Sequence, residues 1–331
     1  MQFRSEFTPK TFQVKIKITD KLLLVGSCFT EQIGKKLAAH KFNTLENPNG
    51  ILFNPISIAK AIKSYTEGKK TGENDLFYHN ELWASREHHT RFSDPDKQQA
   101  LEKINTELDA ASTFIKTADW ILITLGSAFV YEWKDIDATN NYENVAANCH
   151  KIPTDKFNRR LLSASEIVSV LKVMQKQVWD INPAAKFIFT ISPVRHLREG
   201  FIENNRSKAA LIQAVHEITN DRNCFYFPAY ELVIDDLRDY RFFAEDLAHP
   251  NYAATDYVWQ KFVPAVIDET SQQIMKEINE INIAVNHKPF HSKSSAHQLF
   301  KEKYYNKVLA IQQMYPYIDF TKEVDFFTTS S

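Results

Sequence analysis

The chain has 331 residues, enough for one large α/β domain with additions or for two domains. Apolar residues make up 44% of it and aromatics 13%, which provides for a sizeable core and excludes a disordered chain. Forty Lys and Arg against 41 Asp and Glu leave a net charge of −1, so the balance of charge argues against nucleic-acid or anionic-membrane partners.

Taken in chain order, short apolar runs alternate with stretches of helical periodicity. Leu22–Val25 is a short apolar run stopped by Gly26, hence a buried strand. From Phe29 to about His40, Ile33 and Leu37 recur at i,i+4, which predicts a helix. Phe42 to Leu45 reads as an edge strand. Asn54-Pro55 offers a capping Asn and a Pro at the first helical position, with Ile58 and Ile62 on the apolar face. Residues 65–95 are polar and read as irregular. A helix from Asp96 to Lys116 leads into Trp120–Leu125, the clearest strand of the chain, which again ends at a glycine, Gly126. A long aromatic-rich excursion spans Phe129 to Arg160. Ser163-x-x-Glu166 is a capping box and opens the next helix. Phe187–Ile191 is a strand, Ser207–Thr219 a helix and Phe225–Pro228 the last strand. Beyond residue 268 the sequence is polar and helical.

Five strands interleaved with helices predict a three-layer αβα fold with a mostly parallel five-stranded sheet, carrying loop insertions and a helical C-terminal appendage. The expected division is 1–267 and 268–331. In such sheets ligands bind beyond the carboxyl ends of the strands, where Gly26, Gly126 and Ser192 all fall. Only seven glycines occur, and Gly26, Gly50 and Gly126 sit after strands or in a turn-rich loop, where positive φ or close backbone approach is needed.

The chemistry concentrates in two places. Gly26-Ser27-Cys28-Phe29-Thr30-Glu31 sets two potential nucleophiles at a strand-to-helix turn, facing the positive end of a helix. Asp246-Leu247-Ala248-His249 offers a carboxylate and a base three residues apart, within reach of one site from a single loop. The three cysteines (Cys28, Cys149, Cys224) form no CxxC pair and read as reduced thiols. No metal-ligand spacing, P-loop, dinucleotide fingerprint or G-x-S-x-G elbow is present, so no metal and no cofactor is expected. The N-terminal residues lack the apolar stretch of a secretion signal and no window approaches a membrane span. A cytoplasmic protein without a membrane partner is therefore expected.

Gly26-Ser27-Cys28-Phe29 resembles the signature of the GSCFA domain family, a branch of the SGNH/GDSL hydrolase-like superfamily. Asn49–Pro55, Thr124–Ala128, Asn148–Lys151, Ser192–His196 and Asp246–His249 resemble the same family in order and spacing, over roughly residues 20–265. The resemblance implies a flavodoxin-like sheet and an acyl-transfer site. Asp246 and His249 match the late Asp-x-x-His block of the superfamily. Laid without gaps on its first block, Gly26, Thr30 and Glu31 stay in step, which puts Cys28 at the nucleophile position and leaves Ser27 as helix cap. Ser27 remains the alternative nucleophile. A helix N-terminus and a nearby histidine would lower the pKa of the Cys28 thiol. Gly50 and Gly126 are candidate oxyanion positions, but Ala128 stands where the superfamily has an Asn donor. Ser127 or His150 are candidate replacements. Arg195 and His196 after a strand, with Trp83, Arg86, His88, His89, Tyr131 and Trp133 in the excursions, are candidates to line the cleft. The expected activity is that of an esterase on an O-acylated small polar or carbohydrate substrate. An O-acyltransferase acting on a glycan, or a binding module that kept only the cleft, are the alternatives. The oligomeric state is open.

Overall fold

The computed structural model describes residues 5–136, 142–291 and 294–328. Residues 137–141 of the aromatic-rich excursion and 292–293 and 329–331 of the C-terminal stretch lie outside the described residues.

Strand β1 (Lys21–Gly26) leads into helix α1 (Cys28–Ala39), which Ser27 caps, and strand β2 (Asn43–Glu46) follows. Helix α2 (Pro55–Glu67) starts at the expected Asn54 cap, whose side chain accepts from Ser57 N. The stretch read as irregular instead forms a hairpin of β3 (Leu76–His79) and β4 (Leu82–Ser85). Its two-residue turn puts Asn80 and Glu81 at φ 49° and 63°. Positive φ at both central positions is the hairpin-turn geometry, and with Glu81 where Gly is usual the sequence carries no signal of it. Leu76 and Phe92 are anchored on Ala100 and Ile104 of helix α3 (Lys97–Ile115).

Strand β5 (Trp120–Leu125) is buried along its length. The following excursion also contains a hairpin, β6 (Phe129–Trp133) with β7 (Phe157–Leu161). Helix α4 (Ala164–Ile181) carries the capping box at Ser163, and strand β8 (Lys186–Ile191) follows. Helix α5 (Phe201–Ile218) begins six residues before the expected Ser207, from a Gly200 cap at φ 85°. Strand β9 (Cys224–Tyr226) is followed by the short α6 (Ala229–Glu231), the long α7 (Tyr252–Val266), and then α8 (Glu269–Asn286), α9 (Ser295–Met314) and α10 (Thr321–Thr328).

The five strands β2-β1-β5-β8-β9 form one all-parallel sheet in that order. Side chains alternate across it, so each strand feeds two cores. Leu23, Val25, Ile121, Ile123, Phe187 and Phe189 face α2, α3, α4 and α5. Leu22, Leu24, Trp120, Leu122, Ile188 and Phe225 face α1 and α7. The C-terminal helices join this second core through Ile274, Ile278, Ile281, Val308 and Ile311. They also grip α1 directly. Asn282 donates to Ala39 O (2.7 Å), and Lys41 donates to both carboxylate oxygens of Glu323 (2.8 Å each). Among the described residues no helix is long and apolar enough to cross a membrane.

Candidate active site

The carboxyl ends of β1, β5 and β8 meet in one place. Gly26 pairs with Thr124 and Leu125 with Ile191, so Cys28, Gly126 and Ser192 follow in one row just past the sheet. The turn after β1 needs its glycine. Gly26 has φ +148°, and a Cβ there would lie 2.3 Å from Thr124 O on the neighbouring strand. Its N–H donates to Asn47 Oδ1 (2.8 Å) and its carbonyl accepts from Leu52 N (3.0 Å). The loop after β2 is thereby folded over the strand ends.

Ser27 is fully buried and serves as the cap of α1, its Oγ accepting from Phe29 N (3.3 Å). Cys28 is the first residue of the helix and half-buried. The second chemical pair is in the loop after α6, where Asp246 Oδ2 accepts from His249 Nδ1 at 2.6 Å. Asp246 Oδ1 accepts from the backbone N–H of Ala248 and of His249 (3.0 Å each). These two N–H groups, with the imidazole, hold the Asp246 carboxyl down to about 2. The loop is fastened to the end of β8 because Arg195 N donates to Ala248 O (3.0 Å), while the Arg195 guanidinium stacks 4.1 Å above the Phe243 ring. His249 thus has Nδ1 spent on Asp246. Among the described residues, Nε2 hydrogen-bonds to neither Cys28 nor Ser27 in this resting form.

The sequence matches the family model described as "GSCFA family" over residues 21–262. The chain belongs to the GSCFA family. Residues 278–330 match a second model, "GSCFA domain protein, C-terminal domain". No curated protein matches the chain. Several solved structures are similar to it, among them three esterases. One is a carbohydrate esterase family 3 from Talaromyces cellulolyticus, at 10% identity and TM-score 0.36, covering 79% of this chain and 99% of that one. Another is an acetyl esterase mutant with acetate ion, at 13% and 0.36, covering 78% and 100%. The third is an acetyl xylan esterase from the rumen bacterium Butyrivibrio proteoclasticus, at 12% and 0.34, covering 81% and 66%. These likenesses are too distant to bear on chemistry.

The electrostatics of this GSCFA site differ from the expectation at Cys28. Burial, with the negative charge of Glu31 beside it, pushes the thiol up rather than down. The N–H groups of Phe29 and Cys28 and the ammonium of Lys208 pull the other way without prevailing. The group is therefore a thiol at neutral pH.

The candidate oxyanion glycines are also occupied. Gly50 N donates to Asn47 O (2.7 Å), and Gly126 N and Ser127 N both donate to Phe53 O (2.8 and 3.0 Å). The Ser127 hydroxyl accepts from Phe129 N (3.0 Å) and lies 3.3 Å from Ser207 Oγ. These four groups brace the loops. His150 stands apart from the strand ends: its Nε2 donates to Ser85 O (2.8 Å) and its ring edges onto Phe77, pinning the β3–β4 hairpin. His88 is pinned there too, with Nδ1 2.8 Å from Ser85 Oγ.

His196 behaves differently. Its Nε2 is buried and has no hydrogen-bond partner, and it would lie 3.2 Å from a Cβ at Gly126. Burial, reinforced by the charges of Lys208 and His249, lowers its pKa to about 3, so the ring is neutral. It borders a pocket of about 230 Å³, lined also by Phe53, Ser127, Tyr131, Asn148 and Arg198. Among the described residues no group of three His, Cys, Asp or Glu could hold a metal ion.

Three residues were missed from sequence. Asn47 holds Gly26 N–H, Phe53 holds the turn after β5 through its carbonyl, and Lys208 is buried beneath the strand ends. Asn47 left a trace as a polar residue in a loop rich in Asn, Pro and Gly (Asn47-Pro48-Asn49-Gly50), and Phe53 lies inside the family-like segment Asn49–Pro55, but neither residue type announces its hydrogen bond.

Proposed function

We propose that this GSCFA protein is an acyl-transfer enzyme, an esterase in which Cys28 is the nucleophile, His249 the base and Asp246 its orienter. The observation that carries the reading is the Asp246–His249 pair. Its carboxylate is fixed by two backbone N–H groups and itself fixes Nδ1 of the imidazole, while Nε2 stays unspent. That arrangement selects the tautomer able to accept a proton. His249 takes the thiol proton as sulfur attacks the ester carbonyl, forming the C–S bond and placing the negative charge on the former carbonyl oxygen. Collapse expels the alcohol, which leaves with the proton from His249. Water, deprotonated by the same imidazole, then releases the acid and restores the thiol.

Ser27 is a weaker nucleophile in this reading because its oxygen is buried and spent as a cap. The oxyanion takes the Cys28 N–H at the head of α1, with the unpartnered His196 Nε2 as side-chain donor in place of the Asn that Ala128 replaces. Aromatic and polar walls around the adjoining pocket favour a small polar or carbohydrate substrate carrying an O-acyl group.

The test is hydrolysis of p-nitrophenyl acetate together with intact mass of the acylated protein. Cys28→Ala is expected to abolish both the adduct and turnover, and His249→Ala to slow turnover by ~10²–10⁴. Ser27→Ala is expected to retain the adduct. Loss of labelling in Ser27→Ala but not Cys28→Ala would transfer the role to serine. No turnover and no adduct with any short acyl ester would leave a binding module.

A further inference from the structure

The pocket of about 230 Å³ beside His196 carries charged groups that acyl transfer alone does not use. One wall is the β6–β7 hairpin. Phe129 and Tyr131 stand two residues apart on β6, hence on one face, and Arg159 of β7 pairs in register with Tyr131 on that same face. Two guanidinium groups lie over these rings. Arg198, which itself lines the pocket, is 5.2 Å from the Tyr131 centroid, and Arg159 is 5.1 Å from that of Phe129. Among the described residues neither arginine has a carboxylate partner or a hydrogen bond. The adjacent Arg160 shows the contrast, its guanidinium donating to Glu132 Oε1 (3.1 Å) and Glu166 Oε1 (2.6 Å). Of the residues lining the pocket only Glu199 is a carboxylate, and it accepts from the Tyr131 hydroxyl. Asn148 adds a donor. Its Oδ1 accepts from His150 N (2.8 Å), which fixes the amide and leaves Nδ2 unspent.

We propose that this pocket selects an anionic substrate, an O-acylated small molecule whose carboxylate or phosphate group is bound by the Arg198 guanidinium. Arg159 reinforces the positive field on the same wall, and Asn148 Nδ2 donates beside it. The inference rests on the acyl-transfer reading and deepens it by naming the charge of the substrate. Two cations against one carboxylate leave this end of the pocket positive. Stacking on Tyr131 holds the plane of Arg198 while its N–H edge stays available, and that planar fork of donors suits a carboxylate or phosphate. His196, the side-chain oxyanion donor of the esterase reading, lines the same pocket two residues before Arg198. One segment thus serves both the ester and the anion. A neutral sugar would use the aromatic wall, Asn148 and Glu199, and would gain nothing from Arg159.

The experiment is titration of the ¹⁵N-labelled protein with D-glucuronate, D-glucose 6-phosphate and D-glucose, followed by NMR on the arginine Nε–H and asparagine side-chain signals. At least one of the two anions is expected to bind about tenfold more tightly than glucose and to shift the Arg198 and Asn148 signals saturably. The tighter of the two tells carboxylate from phosphate. Arg198→Gln is expected to remove most of the preference and Arg159→Gln to weaken it about threefold. Both arginines are exposed, so neither substitution threatens the fold. Lys172→Gln, which removes an exposed cation of α4 paired with Glu217, is expected to leave binding unchanged. Raising salt from about 50 to about 500 mM is expected to narrow the gap between anion and glucose.

Equal affinity for the three sugars, no saturable shift with either anion, or a preference left intact in Arg198→Gln would overturn the proposal. None of these readouts uses ester turnover. Anion binding through Arg198 in a protein that hydrolyses no ester would sink only the esterase reading. Turnover of p-nitrophenyl acetate without any anion preference in binding would sink only this one.

Discussion

Gly26 joins the strand to the helix that carries Cys28, and its lack of a side chain lets β1 approach β5. A methyl group there would meet the Thr124 carbonyl at 2.3 Å, a backbone atom that has no room to retreat. Gly26→Ala is expected to destabilise the protein on the order of 3 kcal/mol and to depress Cys28 reactivity, checked by urea unfolding and by thiol titration. Asp246→Asn is expected to leave stability nearly unchanged, since the pair is half exposed, yet to cut turnover by ~10⁴ through the wrong imidazole tautomer. At this scale the sequence was legible where a residue's type announces its local role. Ser27 before a helical run reads as a cap, and Asp246 three residues ahead of His249 reads as a pair. Lys208 was illegible because a lysine in a helix ordinarily faces water, and only the tertiary fold brings two carbonyl oxygens to it. The direction of the Cys28 shift was illegible for the same reason, since burial outweighs the helix terminus.

Among elements, the five sheet strands and their order of appearance could be read from apolar runs ended by glycine or polar residues. The hairpins could not. β3–β4 turns through Asn80 and Glu81, and β6–β7 is split in sequence by a polar insertion, so neither shows two adjacent alternating runs. Helix α5 begins early because its first turns are polar or exposed, with Ile202 76% exposed, and leave no buried stripe to recognise. The C-terminal helices look polar in sequence, yet Ile274, Ile278 and Ile281 form one buried stripe on α8. Ile278→Ala is expected to cost about 2–5 kcal/mol. Because that stripe is continuous with the core beneath α1, the loss should appear as a downward shift of one cooperative transition, with no separate early melting of the C-terminal helices in calorimetry.

For the whole molecule, buried neutral histidines set the response to acid. Burial holds both His88 and His196 down to about 3, against 6.5 for a free imidazole. Their stabilising effect is complete above pH 6.5 and is lost as pH falls toward 3, because the unfolded chain then binds protons that the folded one excludes. His88 alone should account for ~3 kcal/mol by about pH 4.5, and His88→Gln should flatten that limb of a stability-against-pH curve.

The strand order β2-β1-β5-β8-β9 carries a different consequence, for synthesis. After the initial β1–β2 pair, each later strand adds to the same growing edge as it leaves the ribosome. One face of the sheet is covered at once by α2, α3, α4 and α5. The other, with Leu22, Leu24, Trp120, Leu122, Ile188 and Phe225, has α1 and the N-terminal Phe12, Ile16 and Ile18, then Ala229, Leu232 and Val233, until α7 and the C-terminal helices arrive. A nascent chain therefore carries a partly covered apolar face through most of its translation, so a stalled or truncated product is a substrate for chaperones and aggregation.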